Sequence, residues 1–312
     1  MYERYRNSYI DNIKTFFKNR SVLSQLIIIN IIVFLAINVI KLFFFLFQVD
    51  LYTDDSTNIS KVVHWFAVPS SLKALVLKPW TIFTYMFLQE NFFHILFNMF
   101  VLYFGGSIFS QFLDSKKLLS TYIFGGISGA LFFIISFNIF PAFGNYVEYA
   151  VALGSSASVL AVLVAIATYK PDFSVSLILF GRVKLKYIAI VLVIIDVLNI
   201  SKGNPGGHIA HIGGALWGYL YIRGLKSGND LSRFLPQIKW KKYFSFFYRD
   251  PVKSKFKHVH INKKPYSDDE YNRNRADKQE QIDKILEKIS RSGYESLTKK
   301  EKALLFDAGN KK

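Results

Sequence analysis

Six stretches of the chain run mostly apolar. The first covers residues 22–40, interrupted only by Ser24, Gln25, Asn30 and Asn38, and continues past Lys41 into an aromatic end at 43–47. The others cover about 92–106, 118–140, 155–169, 187–200 and 209–222. Runs of about 18 or more apolar residues read as membrane-spanning helices. The first is too long for a signal-peptide core, and no small-residue cleavage site follows it. Several of the others are short for a hydrocarbon core of roughly 30 Å. Short spans that carry polar residues are tolerated only inside a bundle. The pattern therefore predicts an all-α membrane protein, a compact bundle of six transmembrane helices with some helices shielded from lipid.

The loops orient that bundle. Residues 1–20 form a basic segment with Arg4, Arg6, Lys14, Lys18 and Arg20. The connection after the second span carries Lys116 and Lys117, and the one after the fourth carries Lys170, Arg182, Lys184 and Lys186. Residues 141–154, after the third span, carry no Lys or Arg, and the loop after the fifth has only Lys202. Cationic loops stay on the cytoplasmic side, so both termini are expected there. The segment 48–78 is outside by parity yet holds Lys61, Lys73 and Lys78 among Val62, Val63, Trp65, Phe66, Leu72 and Leu75. It reads as an interfacial loop lying amphipathically in the outer boundary. Its Asn58-Ile59-Ser60 is a weak glycosylation pattern.

Composition then separates body from tail. The 312 residues are 51% hydrophobic, with 31 Phe and a net charge of +17. From Arg223 onward there are 23 Lys/Arg against 12 Asp/Glu, a net of +11. An apolar body is thus averaged with a charged appendage. Interleaved cations and aromatics at 239–249 suit anionic lipid headgroups better than nucleic acid. Residues 279–289 are helix-patterned, Ser292-Gly293 ends the run, and Thr298 with Glu301 forms a capping box for a second short helix. The expected organisation is a basic segment 1–20, a helical membrane domain 21–224, a basic aromatic linker 225–275 and a small helical hairpin in 276–312. With no Cys, a thiol enzyme, a disulfide scaffold and a Cys-ligated metal are excluded.

Polar groups within the spans are costly and mark chemistry. Gly154-Ser155-Ser156-Ala157 lies where an uncharged loop enters the fourth span. A serine is a poor nucleophile until a base takes its proton. His211, near the outer end of the sixth span, is the available base, at a depth similar to that of Ser156. Gly214 and Gly218 form a GxxxG face that permits close helix contact. His94 and Asn98, four residues apart, share one helix face and are candidate oxyanion donors. His208 and His211 at i, i+3 raise metal ligation, but no HExxH and no adjacent acidic residue accompany them, so no metal or other cofactor is expected. His208 is expected at the loop or mouth. Asp196, in the outer half of the fifth span, is expected to bond a helix end or water rather than His211. Gly and Ser are common at membrane helix contacts, so Ser156 alone decides nothing. The ordered combination of HxxxN, GxSx and AHxGG on spans two, four and six does.

That combination, with Pro79-Trp80-Thr81-Ile82-Phe83-Thr84-Tyr85-Met86-Phe87 before it, resembles the rhomboid family of intramembrane serine proteases. The resemblance covers roughly residues 21–224. It implies Ser156 as nucleophile, His211 as base, His94 and Asn98 at the oxyanion site, and Gly214 and Gly218 packing helix six on helix four. It further implies transmembrane protein substrates entering from the side, between helices two and five, with small residues at the cut. The location it implies is a multi-pass position in a bacterial cytoplasmic membrane, with the active site open to the outer side. Three positions depart from the family pattern: Ala157 in place of Gly, Gln89 in place of a first His, and Leu160 where an aromatic packs on the His ring. The alternatives are a rhomboid-like protein that binds membrane partners without cutting them, and a transporter using the same polar residues as a path. The tail from Ile282 to Phe306 looks like a C-terminal extension of some bacterial rhomboids.

Overall fold

The computed structural model describes residues 21–49, 60–177, 181–234 and 268–309. The basic segment 1–20, the sequon asparagine Asn58 and the cation–aromatic stretch 239–249 lie outside the described residues. The chain divides into two compact units, Met1–Ile238 and Lys239–Lys312.

In the first unit six long helices occur at the six apolar stretches: α1 Val22–Leu46, α2 Phe92–Phe112, α3 Ser115–Ile139, α4 Ser156–Tyr169, α5 Leu185–Asn199 and α6 Pro205–Lys226. Three of them, α1, α2 and α3, are long and apolar enough to cross a membrane by length and composition. The helix α4 has 14 residues and rises about 21 Å at roughly 1.5 Å per residue, short of a roughly 30 Å core. Its shortness is matched by its position. Ten of its residues are buried, and it packs against α2, α3, α5 and α6. By contrast α1 exposes Ile32, Leu35, Val39 and Leu42, and α5 exposes Ile190, Val191, Ile194 and Leu198. Those faces suit hydrocarbon.

Local chemistry starts and stops the helices. Ser21, Asn91, Asp114 and Asn204 each cap a helix by accepting a backbone N–H. Pro205 then occupies the first turn of α6, where no backbone donor is needed. Polar contacts join helices inside the apolar body. The Asn30 amide donates to the Tyr122 hydroxyl at 3.0 Å, and that hydroxyl donates to the Met86 carbonyl at 3.1 Å. Ser128 on α3 donates to the Gly213 carbonyl on α6 at 2.8 Å.

The connection after α1 is more ordered than an amphipathic segment alone. Short helices Lys61–Phe66 and Leu72–Leu77 flank a two-residue strand β1, Val68–Pro69. It pairs antiparallel with β2, Val151–Ala152, just ahead of α4. A second small hairpin joins β3 Ser174–Leu177 to β4 Gly181–Lys184. Neither pairing follows from the sequence pattern, because two to four residues carry no usable period.

The second unit contains α7, Asp268–Ser292, and α8, Lys299–Gly309. The helix α7 begins earlier than the pattern at 279–289 indicates. Gly293, at φ 74°, ends it. The capping box forms: the Thr298 N–H donates to Glu301 at 2.6 Å, and the Glu301 N–H donates to the Thr298 hydroxyl at 3.4 Å. Ile285 and Leu297 are buried in this unit.

Candidate active site

The loop that delivers Ser156 is held before the helix starts. β1 and β2 pair, the Ser70 N–H donates to the Ala150 carbonyl at 3.0 Å, and the Gly154 N–H donates to the Tyr85 carbonyl at 3.0 Å. Gly154 sits at φ 126°, a conformation that favours glycine. A Cβ there would also lie 3.0 Å from His94 Cε1 and 3.5 Å from Ser156 Oγ. Gly154 therefore lets the loop turn and lets the His94 ring approach. Ser156 is the first residue of α4. A helix leaves its first backbone N–H groups without intrahelical partners, so donors collect beside its hydroxyl.

The helix α6 brings the imidazole. His211 Nε2 lies 2.6 Å from Ser156 Oγ. The two helices come this close because Gly214 and Gly218 carry no side chain: a Cβ on Gly214 would collide with the Ala157 carbonyl oxygen, and one on Gly218 with that of Ala161. Only hydrogen fits at those two positions. Leu160, with Leu163 and Ala215, forms a buried cluster behind the site.

Two expectations change here. Asp196 does not bond a helix end: its Oδ1 lies 2.8 Å from His211 Nδ1 and 2.8 Å from His208 Nδ1. Of the loop or mouth expected for His208, the loop is ruled out: it stands in the first turns of α6, half-buried. The charge of a carboxylate in a helix with otherwise apolar neighbours demands such partners, and sequence spacing between α5 and α6 does not reveal them. The donor atoms of Asp196, His208 and His211 all lie within 4.8 Å of one another, a group that could hold a metal ion.

Asn98 is buried, and its amide donates to Gln89 Oε1 at 3.1 Å. Gln89, also buried, donates in turn to the Ser155 hydroxyl at 2.6 Å. Tyr122 interacts with Ser155 as well. Gln89 is thus the link between an oxyanion candidate and the residue preceding Ser156, a role that its 66-residue separation from Ser155 conceals. His94 stands beside Gly154, so His94, Asn98, Gly154, Ser156 and His211 converge from α2, the loop before α4, α4 and α6. Ser158, two residues on, is buried, and its hydroxyl has no hydrogen-bond partner among the described residues.

Residues 77–227 match the Rhomboid domain family, and residues 267–308 match a family of unknown function (DUF6576). Over 132 residues, 41% of this chain, the sequence is 29% identical to the Presenilin-associated rhomboid-like protein A, mitochondrial, of Danio rerio. The aligned part covers 33% of that protein, so the chain spans about a third of the relative's length.

Proposed function

From the match of residues 77–227 to the Rhomboid domain family we propose that the chain is a rhomboid-type intramembrane serine endopeptidase with Ser156 as nucleophile and His211 as general base. The observation that carries this reading is the 2.6 Å separation of His211 Nε2 and Ser156 Oγ at the start of α4. A base within hydrogen-bond reach of a hydroxyl is the first geometric requirement for activating it. Free N–H groups at the helix start, His94 and the second amide hydrogen of Asn98 supply donors for the oxyanion. Ser156 attacks the scissile carbonyl, His211 takes its proton and returns it to the leaving amine, and water completes hydrolysis.

All six helices cross the membrane in this reading, with both termini cytoplasmic and the Ser156 end of α4 facing outward. Short α4 is tolerated because α2, α3, α5 and α6 surround it. Substrates are transmembrane proteins cut in or beside their helices. The basic stretch between α6 and α7 holds the cytoplasmic face to anionic headgroups.

The test is labelling of detergent-solubilised protein with a fluorophosphonate, with the adduct located by peptide mapping. Wild type should carry the adduct at Ser156, and Ser156→Ala should neither label nor cut a transmembrane reporter. An unlabelled wild type points instead to a rhomboid-like binder that does not cut.

A further inference from the structure

We propose that Asp196 is a positioning residue that fixes His211 in the tautomer a base requires and stabilises its imidazolium, so that Ser156, His211 and Asp196 form one hydrogen-bonded chain in which the proton moves between Ser156 and His211 and not to Asp196. The inference rests on the protease reading above. It begins from a cost: Asp196 is the one acidic residue of α5 and is only 8% exposed. Its neighbours on that helix are apolar, and no Lys or Arg bonds it among the described residues. Its partners are two imidazoles, His208 and His211, each with Nδ1 2.8 Å from the same oxygen.

An ionised carboxylate can only accept hydrogen bonds. Both Nδ1 atoms therefore carry hydrogen and donate to Asp196. A neutral imidazole with hydrogen on Nδ1 has its lone pair on Nε2. In His211 that lone pair faces the Ser156 hydroxyl at 2.6 Å, so the hydroxyl donates to it. The carboxylate thus selects the base form before substrate arrives. The two rings share one oxygen without stacking, at 6.0 Å between centroids and 84° between planes. His208 gives Asp196 a second donor and helps to hold it in place.

The proton count closes. As Oγ bonds the carbonyl carbon, the hydroxyl proton moves to His211 Nε2 and the carbonyl electron pair moves to its oxygen. The imidazolium then has two N–H groups: Nδ1–H stays on Asp196, which remains ionised, and Nε2–H goes to the amine as the C–N bond breaks. Water repeats the sequence on the acyl-enzyme and restores the Ser156 proton.

The experiment compares wild type with Asp196→Asn, Asp196→Glu and Ser156→Ala in detergent, reading kcat and KM on a transmembrane reporter, fluorophosphonate labelling and thermal melting. Asp196→Asn keeps the shape but not the charge, and kcat should fall by about 10²- to 10⁴-fold, with KM within about threefold. Asp196→Glu keeps the charge and should exceed Asn at least tenfold. A purely structural role reverses that order, because the isosteric amide is tolerated and the longer acid is not. Equal rates for Asn and wild type, the reversed order, or a misfolded Asn variant overturn the proposal. So does loss of wild-type labelling on treatment with a chelator, which makes the cluster a metal site. If wild type itself is unlabelled, the protease reading falls too; if Ser156 labels and Asp196→Asn matches it, only this inference falls.

Discussion

Replacing Gly214 by Ala adds one methyl group between the two helices that carry the proposed nucleophile and base. The new Cβ would meet the Ala157 carbonyl oxygen, and the Ala157 Cα lies 3.0 Å from it. Carbon–oxygen contacts settle at roughly 3.3–3.6 Å, so α4 and α6 must part by about 1 Å at that level. Overpacking of this kind costs about 1–3 kcal/mol. The larger effect is on chemistry. Ser156 precedes Ala157 by one residue, and His211 lies one turn from Gly214, so the same displacement stretches their 2.6 Å contact. A misplacement of about 1 Å costs about 10²-fold in rate. Fluorophosphonate labelling kinetics and detergent melting curves measure the two effects separately. Gly224→Ala is the control on the same helix, since its nearest neighbour is the Asn229 carbonyl oxygen at 3.6 Å; it should gain up to about 1 kcal/mol from helix propensity. If Gly214→Ala labels and melts like wild type, the helix contact does not set the geometry of the site.

Two further predictions follow from hydrogen bonds. Gln89→Leu leaves the buried Asn98 amide without its Gln89 acceptor and removes one of the Ser155 hydroxyl's two partners and should lower stability by about 1–3 kcal/mol, visible as an earlier melt; Ser158→Ala removes a hydroxyl without a partner and should not. In the second unit, the Thr298 N–H, Lys288 and the Thr298 hydroxyl hold the Glu301 carboxyl at about 2, below its ordinary 4.5. A depressed carboxylate contributes stability above its unfolded value and loses it as pH falls toward the folded one. Protection factors for hydrogen exchange across 288–309 in the full chain, taken relative to the intrinsic amide rate at each pH, should therefore fall between about pH 4.5 and 2, and Glu301→Gln should flatten that dependence.

Much of the architecture was legible along the chain because burial in an apolar body imposes a strong, local signal. The apolar runs placed six helices, Gly293 and the Thr298–Glu301 box marked the ends of the tail helices, and HxxxN, GxSx and AHxGG pointed to Ser156, His211, His94 and Asn98. The helix boundaries were less legible: α2 continues to Phe112, and α6 starts at Pro205, several residues outside the apolar runs. There capping residues and tertiary packing outweigh hydropathy.

What the sequence determined by itself is composition per segment: which stretches must avoid water, and which few polar residues they carry at a cost. Such information is one-dimensional and short-ranged. Which polar residues meet was decided by the tertiary structure. Asp196 lies 15 residues from His211, and Gln89 lies 66 from Ser155, separations that no helical period relates. They meet because α5 packs against α6 and α2 packs against α4, just as glycines at 214 and 218 let α6 lie against the α4 backbone. A buried carboxylate or amide then takes whatever donor or acceptor that packing brings within reach, since leaving it unpaired in a low-dielectric interior costs more than the contact constrains.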